Sequence, residues 1–169
     1  MNKLESPSAV AINAFVASAF STFGTVLGEE PERGMITVDA TGKTSHQVNV
    51  IVGMTGMFYG YMAFGMSLAT ADKIASTMTG VPVRTFDAAA ASAISELANS
   101  ICKSAVTELA RNGHFCDVTL PTVIKGVRVF VSAVTTPSIV VPLRLAHGVV
   151  SLSIALSGYS GALTETTAA

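Results

Sequence analysis

The sequence predicts an α+β fold: one domain with a largely antiparallel sheet and long helices packed on it. Three observations predict it. Residues 7–27 and 85–111 carry apolar side chains at helical spacing. Several other runs alternate apolar and polar residues or are β-branched, and are bounded by glycine and proline. The order is one helix, three strands, two helices and then several strands, so strands come in blocks. The 169 residues suit a single domain spanning 1–169. Residues 162–169, ALTETTAA, are expected to fray.

The first helix is expected from Pro7 to Leu27, with Ser6 as cap and Pro7 at the first helical position. Ile12, Phe15, Val16, Ala19, Phe20, Phe23, Val26 and Leu27 form its apolar face, and Ser18, Ser21, Thr22 and Thr25 its polar one. GEEPERG reads as a polar turn. MITVDA and HQVNVIV read as strands joined around TGKTS. GMTG is expected to turn into a third strand, FYGYMAFGMSL. Thr70 is expected to cap the helix ADKIASTMT, which Gly80 closes. After the linker VPVR, Thr85 is the expected cap of a long helix reaching Arg111 and ending at Asn112-Gly113. The strand candidates beyond are FCDVTLPTVIKG, VRVFVSAV, SIVVPLRLA and GVVSLSIALSG, broken by Pro121, Gly126, Pro137 and His147-Gly148.

Composition narrows the function. Half the residues are hydrophobic and 12% are charged, where about a quarter is usual. The net charge of −1 and the absence of a basic run argue against nucleic acid as a partner. Cys102 and Cys116 form no metal or redox motif; they read as small buried residues in a reducing compartment. The N-terminus mimics a signal peptide, but Glu5, Asn13 and the polar stripe oppose that reading. Residues 44–71 carry no charge and are long enough to span a membrane, yet their four glycines and strand-like alternation favour strands. A cytoplasmic protein without a membrane segment is expected.

Most catalytic signatures fail. TGKT at 41–44 lacks the first glycine of a phosphate-binding loop, since Thr37 stands there, and reads as a hairpin turn. His46, His114 and His147 show no metal-ligand spacing, and no G-x-S-x-G elbow occurs. One feature remains, on the long helix. In ISELANSICKSAVTELA, Ile94, Leu97, Ala98, Ile101, Ala105 and Leu109 form a core stripe, while Glu96, Asn99 and Lys103, with Ser92 just before the stretch, line the opposite side. Glu96 and Asn99, three apart, have Cβ atoms about 5 Å apart. An ordinary solvated face would show the same pattern. An amide cannot titrate, so Asn99 is no general base, but it can hold a water through one donor and one acceptor. A carboxylate can pair with a partner's cation. Such a pair suits in-line attack of water on a phosphoryl group, where positioning matters more than covalent help.

ISELANSI followed by LPTVIKG resembles the CheX branch of the CheC/CheX/FliY chemotaxis phosphatases. The likeness extends through VNVIVGMTGMFYGYMAF and ADKIASTMTG. It implies dephosphorylation of the aspartyl phosphate of a CheY-like response regulator. Glu96 would pair with the regulator's active-site lysine, and Asn99 would orient the attacking water. Ser92 and Lys103 would contact the partner. The first helix has no E-x-x-N, so one site per chain is implied, as in CheX, together with a homodimer. The chain would need no cofactor of its own, and Mg2+ would sit in the receiver. One departure stands out: Lys103 occupies the family's usual glycine position and Val106 its lysine. A non-catalytic receiver-binding or dimerisation module of the same fold is the alternative.

Overall fold

A computed structural model describes residues 7–131 and 137–158. It contains three helices: α1 (Pro7–Leu27), α2 (Leu68–Thr79) and α3 (Ala88–Arg111). The strands are β1 (Glu32–Arg33), β2 (Thr37–Asp39), β3 (Lys43–Thr44), β4 (Val48–Gly56), β5 (Phe58–Met66), β6 (Cys116–Val118), β7 (Thr122–Lys125), β8 (Val129–Phe130), β9 (Ser138–Leu145) and β10 (Gly148–Gly158). The main sheet runs β1-β9-β10-β5-β4-β6, with β2 also on β9 and β7 also on β4. Every pairing is antiparallel, as the sequence predicts.

Alternation along the strands builds the core. Val50, Phe64, Leu152 and Val141 stand opposite one another across four strands, and Val48, Met66, Val150 and Leu143 form the next row. All eight are buried under the helices. The other face carries Asn49, Gly65 and Ser151 in one row. Asn49 is buried there, accepting from the Thr44 hydroxyl at 2.9 Å and donating to the His46 carbonyl at 3.0 Å. Gly65 leaves space for the His46 ring, which a Cβ would strike.

Helix α1 has the expected span, but its buried face is not quite the one expected. Ser18 is buried with Ala11, Ala14, Phe15, Ala19 and Phe23. Small residues on that face let α1 lie close on α3, whose own buried side includes Ala90, Ala93, Ala98 and Ala105. Ser6 and residues 162–169 lie outside the described residues.

Several boundaries shift. Ser67, not Thr70, caps α2: its hydroxyl accepts from the Thr70 amide, so the helix starts at Leu68 and shortens the preceding strand. Asp87, not Thr85, caps α3, its carboxylate accepting from the Ala90 amide at 2.8 Å. GMTG lies inside β4, and the reversal comes at Met57. Only the first half of TGKT turns, since Lys43 and Thr44 form β3, and it does not join a hairpin of MITVDA and HQVNVIV. β2 pairs with β9 while β4 lies between β5 and the β6–β7 edge, so the two runs never meet. Asp39 holds the turn through the Thr41 amide and hydroxyl, and Gly42 has a positive φ of 66°. The polar turn GEEPERG includes β1. VRVFVSAV reduces to β8, paired with β3, and residues 132–134 of that run lie outside the described residues. The uncharged stretch 44–71 is mostly the β4–β5 hairpin, so it holds no spanning helix. α1 is long and apolar enough by length and composition to cross a membrane, yet Phe15 and Phe23 are fully buried in the protein core.

Candidate active site on helix α3

Helix α3 is 24 residues long and held at both ends. Asp87 caps the start, and the Asn112 side chain donates to the Glu108 carbonyl at 2.9 Å near the end. Ile94, Leu97, Ala98, Ile101, Cys102, Ala105 and Leu109 are buried, which fixes the rotation of the helix about its axis. Glu96 is therefore exposed and Asn99 half-buried. Neither is needed by the core.

Both face an open groove of about 490 Å3, whose lining also includes Ser92, Ser95, Leu120 and Pro121. Lys103 is exposed one turn beyond Asn99 and does not line it. The structure thus brings together Ser92, Glu96 and Asn99 and leaves Lys103 outside. Sequence reasoning missed Ser95 and the far wall.

That wall is made by the β6–β7 edge. Met54 faces Val118 and Ile51 faces Thr122, so three steps along β4 match four along the facing chain. The extra residue is a β-bulge at Leu120-Pro121. Thr119 anchors it: its amide donates to the Gly53 carbonyl at 2.9 Å, and its hydroxyl accepts from the Gly53 amide at 2.8 Å. Proline is tolerated there because a bulge needs no ladder donor. Leu120 is left 83% exposed beside the motif face.

The remaining candidate residues are accounted for elsewhere. Cys102 is buried, and desolvation pushes its thiol up to about 12, so it stays protonated. Cys116 is also a buried free thiol. His147 Nδ1 meets Glu29 at 2.5 Å, and its Nε2 lies 2.8 Å from the Thr77 hydroxyl. That chain ties the β9–β10 turn to the end of α1 and to α2. Among the described residues, no three of His, Cys, Asp and Glu gather where a metal ion fits.

Residues 48–144 match the family model described as chemotaxis phosphatase CheX. The chain belongs to the CheX family. It is 33% identical over 116 residues to the CheY-P phosphatase CheX of Thermotoga maritima, covering 68% of this chain and 75% of that one. The chemotaxis protein CheX of Desulfovibrio desulfuricans superposes with a TM-score of 0.79 at 24% identity, covering 87% of this chain and 99% of that one. A CheX–CheY–BeF3–Mg2+ complex from Borrelia burgdorferi gives a TM-score of 0.75 at 27% identity, covering 86% and 97%. The CheX match includes β4, β5, α2, α3 and the bulged edge, and so every residue lining the groove.

Proposed function

We propose that this chain hydrolyses the aspartyl phosphate of a CheY-like response regulator, with Asn99 and Glu96 as its working residues. The observation that carries the reading is their shared position in one open groove, on a rigid helix, with no part in the core. The Thermotoga relative described as a CheY-P phosphatase supports it, as does the Borrelia complex of CheX with CheY and beryllofluoride, a phosphoryl stand-in.

In this reading the phosphoaspartate and its Mg2+ belong to the receiver, and the chain brings no cofactor. The Glu96 carboxylate pairs with the receiver's lysine and sets the approach. The Asn99 amide enters beside the phosphoryl group and holds one water in line with the phosphorus–aspartate bond. Water oxygen bonds to phosphorus as the bond to the aspartyl oxygen breaks. The aspartate carboxylate leaves with the electron pair, and the water proton passes to phosphate or solvent. Asn99 cannot take that proton, so its contribution is positional. No enzyme-bound phosphoryl intermediate forms. Ser92 borders the contact. The chain works in the cytoplasm as a homodimer, one site per protomer.

The test is single-turnover decay of phosphorylated receivers with parent and Asn99→Ala at equal, saturating concentration. Removing one preorganised hydrogen-bonding group should slow decay by about 10²- to 10³-fold, with binding kept. Equal rates above the receiver's own hydrolysis would remove Asn99 from the mechanism. Equal rates at that floor, with binding intact, would make the chain a non-catalytic receiver-binding module.

A further inference from the structure

We infer that Leu120, carried outward by the β6–β7 bulge, is the apolar anchor by which the phosphorylated receiver docks. This rests on the phosphatase reading and adds to it the surface that supplies affinity.

Leu120 is among the most exposed large apolar side chains of the described residues, at 83%. Its backbone is nonetheless fixed. The Gly53–Thr119 pair of hydrogen bonds holds the residue before it, Pro121 restricts the backbone of Leu120 itself to extended conformations, and β7 resumes at Thr122. A leucine on a mobile loop would lose backbone freedom on binding; this one has already lost it. Bulges re-aim side chains, and this bulge aims one into a wall of the Asn99 groove. Gly53 permits the arrangement, since a Cβ there would come within 3.1 Å of the Thr119 methyl.

The groove sets the occupant. Glu96 and Asn99 form one side and Leu120-Pro121 the other, so a body that enters far enough to meet Asn99 also meets Leu120. A receiver with its phosphoryl group at Asn99 therefore also covers Leu120. The two contacts differ in kind. Glu96 supplies a charge pair that salt weakens, whereas burial of Leu120 is indifferent to salt.

The experiment titrates parent, Leu120→Ser, Leu120→Gln, Leu120→Met and Glu96→Ala with a receiver activated by beryllofluoride and Mg2+, at low and high salt. Melting curves and sedimentation check fold and self-association. Leu120→Ser and Leu120→Gln should weaken binding about tenfold or more at both salt concentrations. Leu120→Met should bind as the parent does. Glu96→Ala should lose chiefly the salt-dependent part. In turnover the Leu120 variants should raise KM while Asn99→Ala lowers kcat. Unchanged affinity in both folded polar variants would overturn the anchor and leave the phosphatase reading standing. Loss of self-association with unchanged receiver affinity would overturn it in favour of a second copy as occupant. A parent that neither binds nor dephosphorylates any receiver would remove the phosphatase reading, and the anchor with it.

Discussion

Asn99 is half-buried while Glu96 and Lys103 on the same side of α3 are exposed. A half-buried amide on a short side chain has fewer orientations open to it than an exposed ammonium on a four-carbon stem. Lys103 lies outside the groove, so it reaches a docked receiver only through its field, which physiological salt screens over about 8 Å. Replacing it with glycine should cost about 1 kcal/mol through helix propensity, read by thermal melting, while the saturating dephosphorylation rate stays at the parental value. A change in that rate would bring Lys103 into the site. The shared face of Glu96 and Asn99 was legible in the sequence because helical spacing is local and shows directly which side of a helix a residue takes. Leu120 was not, although TLPTVIKG was visible. Its exposure depends on a register shift against β4, and that follows from pairing across more than sixty residues of chain.

Among the elements, α3 carries the candidate site, and its first turn depends on one cap. Asp87→Ala removes the acceptor for the Ala90 amide and should lower stability by about 1 kcal/mol. The check is a denaturant melt followed by circular dichroism, with the dephosphorylation rate at saturation kept, since Asn99 lies three turns inside. The sequence located all three helices and the ends of α1 and α3 closely, but missed which polar residue caps α2 and α3 and that Ser18 is buried on α1. Thr70 and Thr85 are plausible caps by type. Ser67 and Asp87 hold the role because their side chains reach the amide three residues on. Strands were legible as segments but not as partners. Nothing local reveals that β2 belongs beside β9, or that the end of TGKT is a strand of a second sheet.

For the whole molecule, the contacts of Glu29 join distant parts of the chain. Its carboxylate accepts from the Ala146 amide at 3.1 Å and meets His147, which in turn reaches Thr77 on α2. The hydrogen bond from His147 lowers the Glu29 pKa below its ordinary value of 4.5. A depressed carboxylate pKa stabilises the fold at pH above 4.5, and the contribution is lost as pH falls below it. Glu29→Gln should therefore melt below the parent at neutral pH, with the gap closing on acidification through that window. A gap that stayed constant with pH would mean the contact is not linked to protonation. The β6–β7 side of the sheet presents a different whole-molecule problem. Among the described residues it is an outer edge, with no strand beyond it. Flat edges template pairing with other chains, and a bulge and a proline are two common safeguards. Leu120-Pro121 supplies both at one point. Deleting Leu120 together with Pro121→Val would straighten the edge into an uninterrupted run facing β4. The fold should survive, but light scattering should rise with time and concentration as molecules add edge to edge. The irregularity that shapes the groove would then also be what keeps the protein from aggregating.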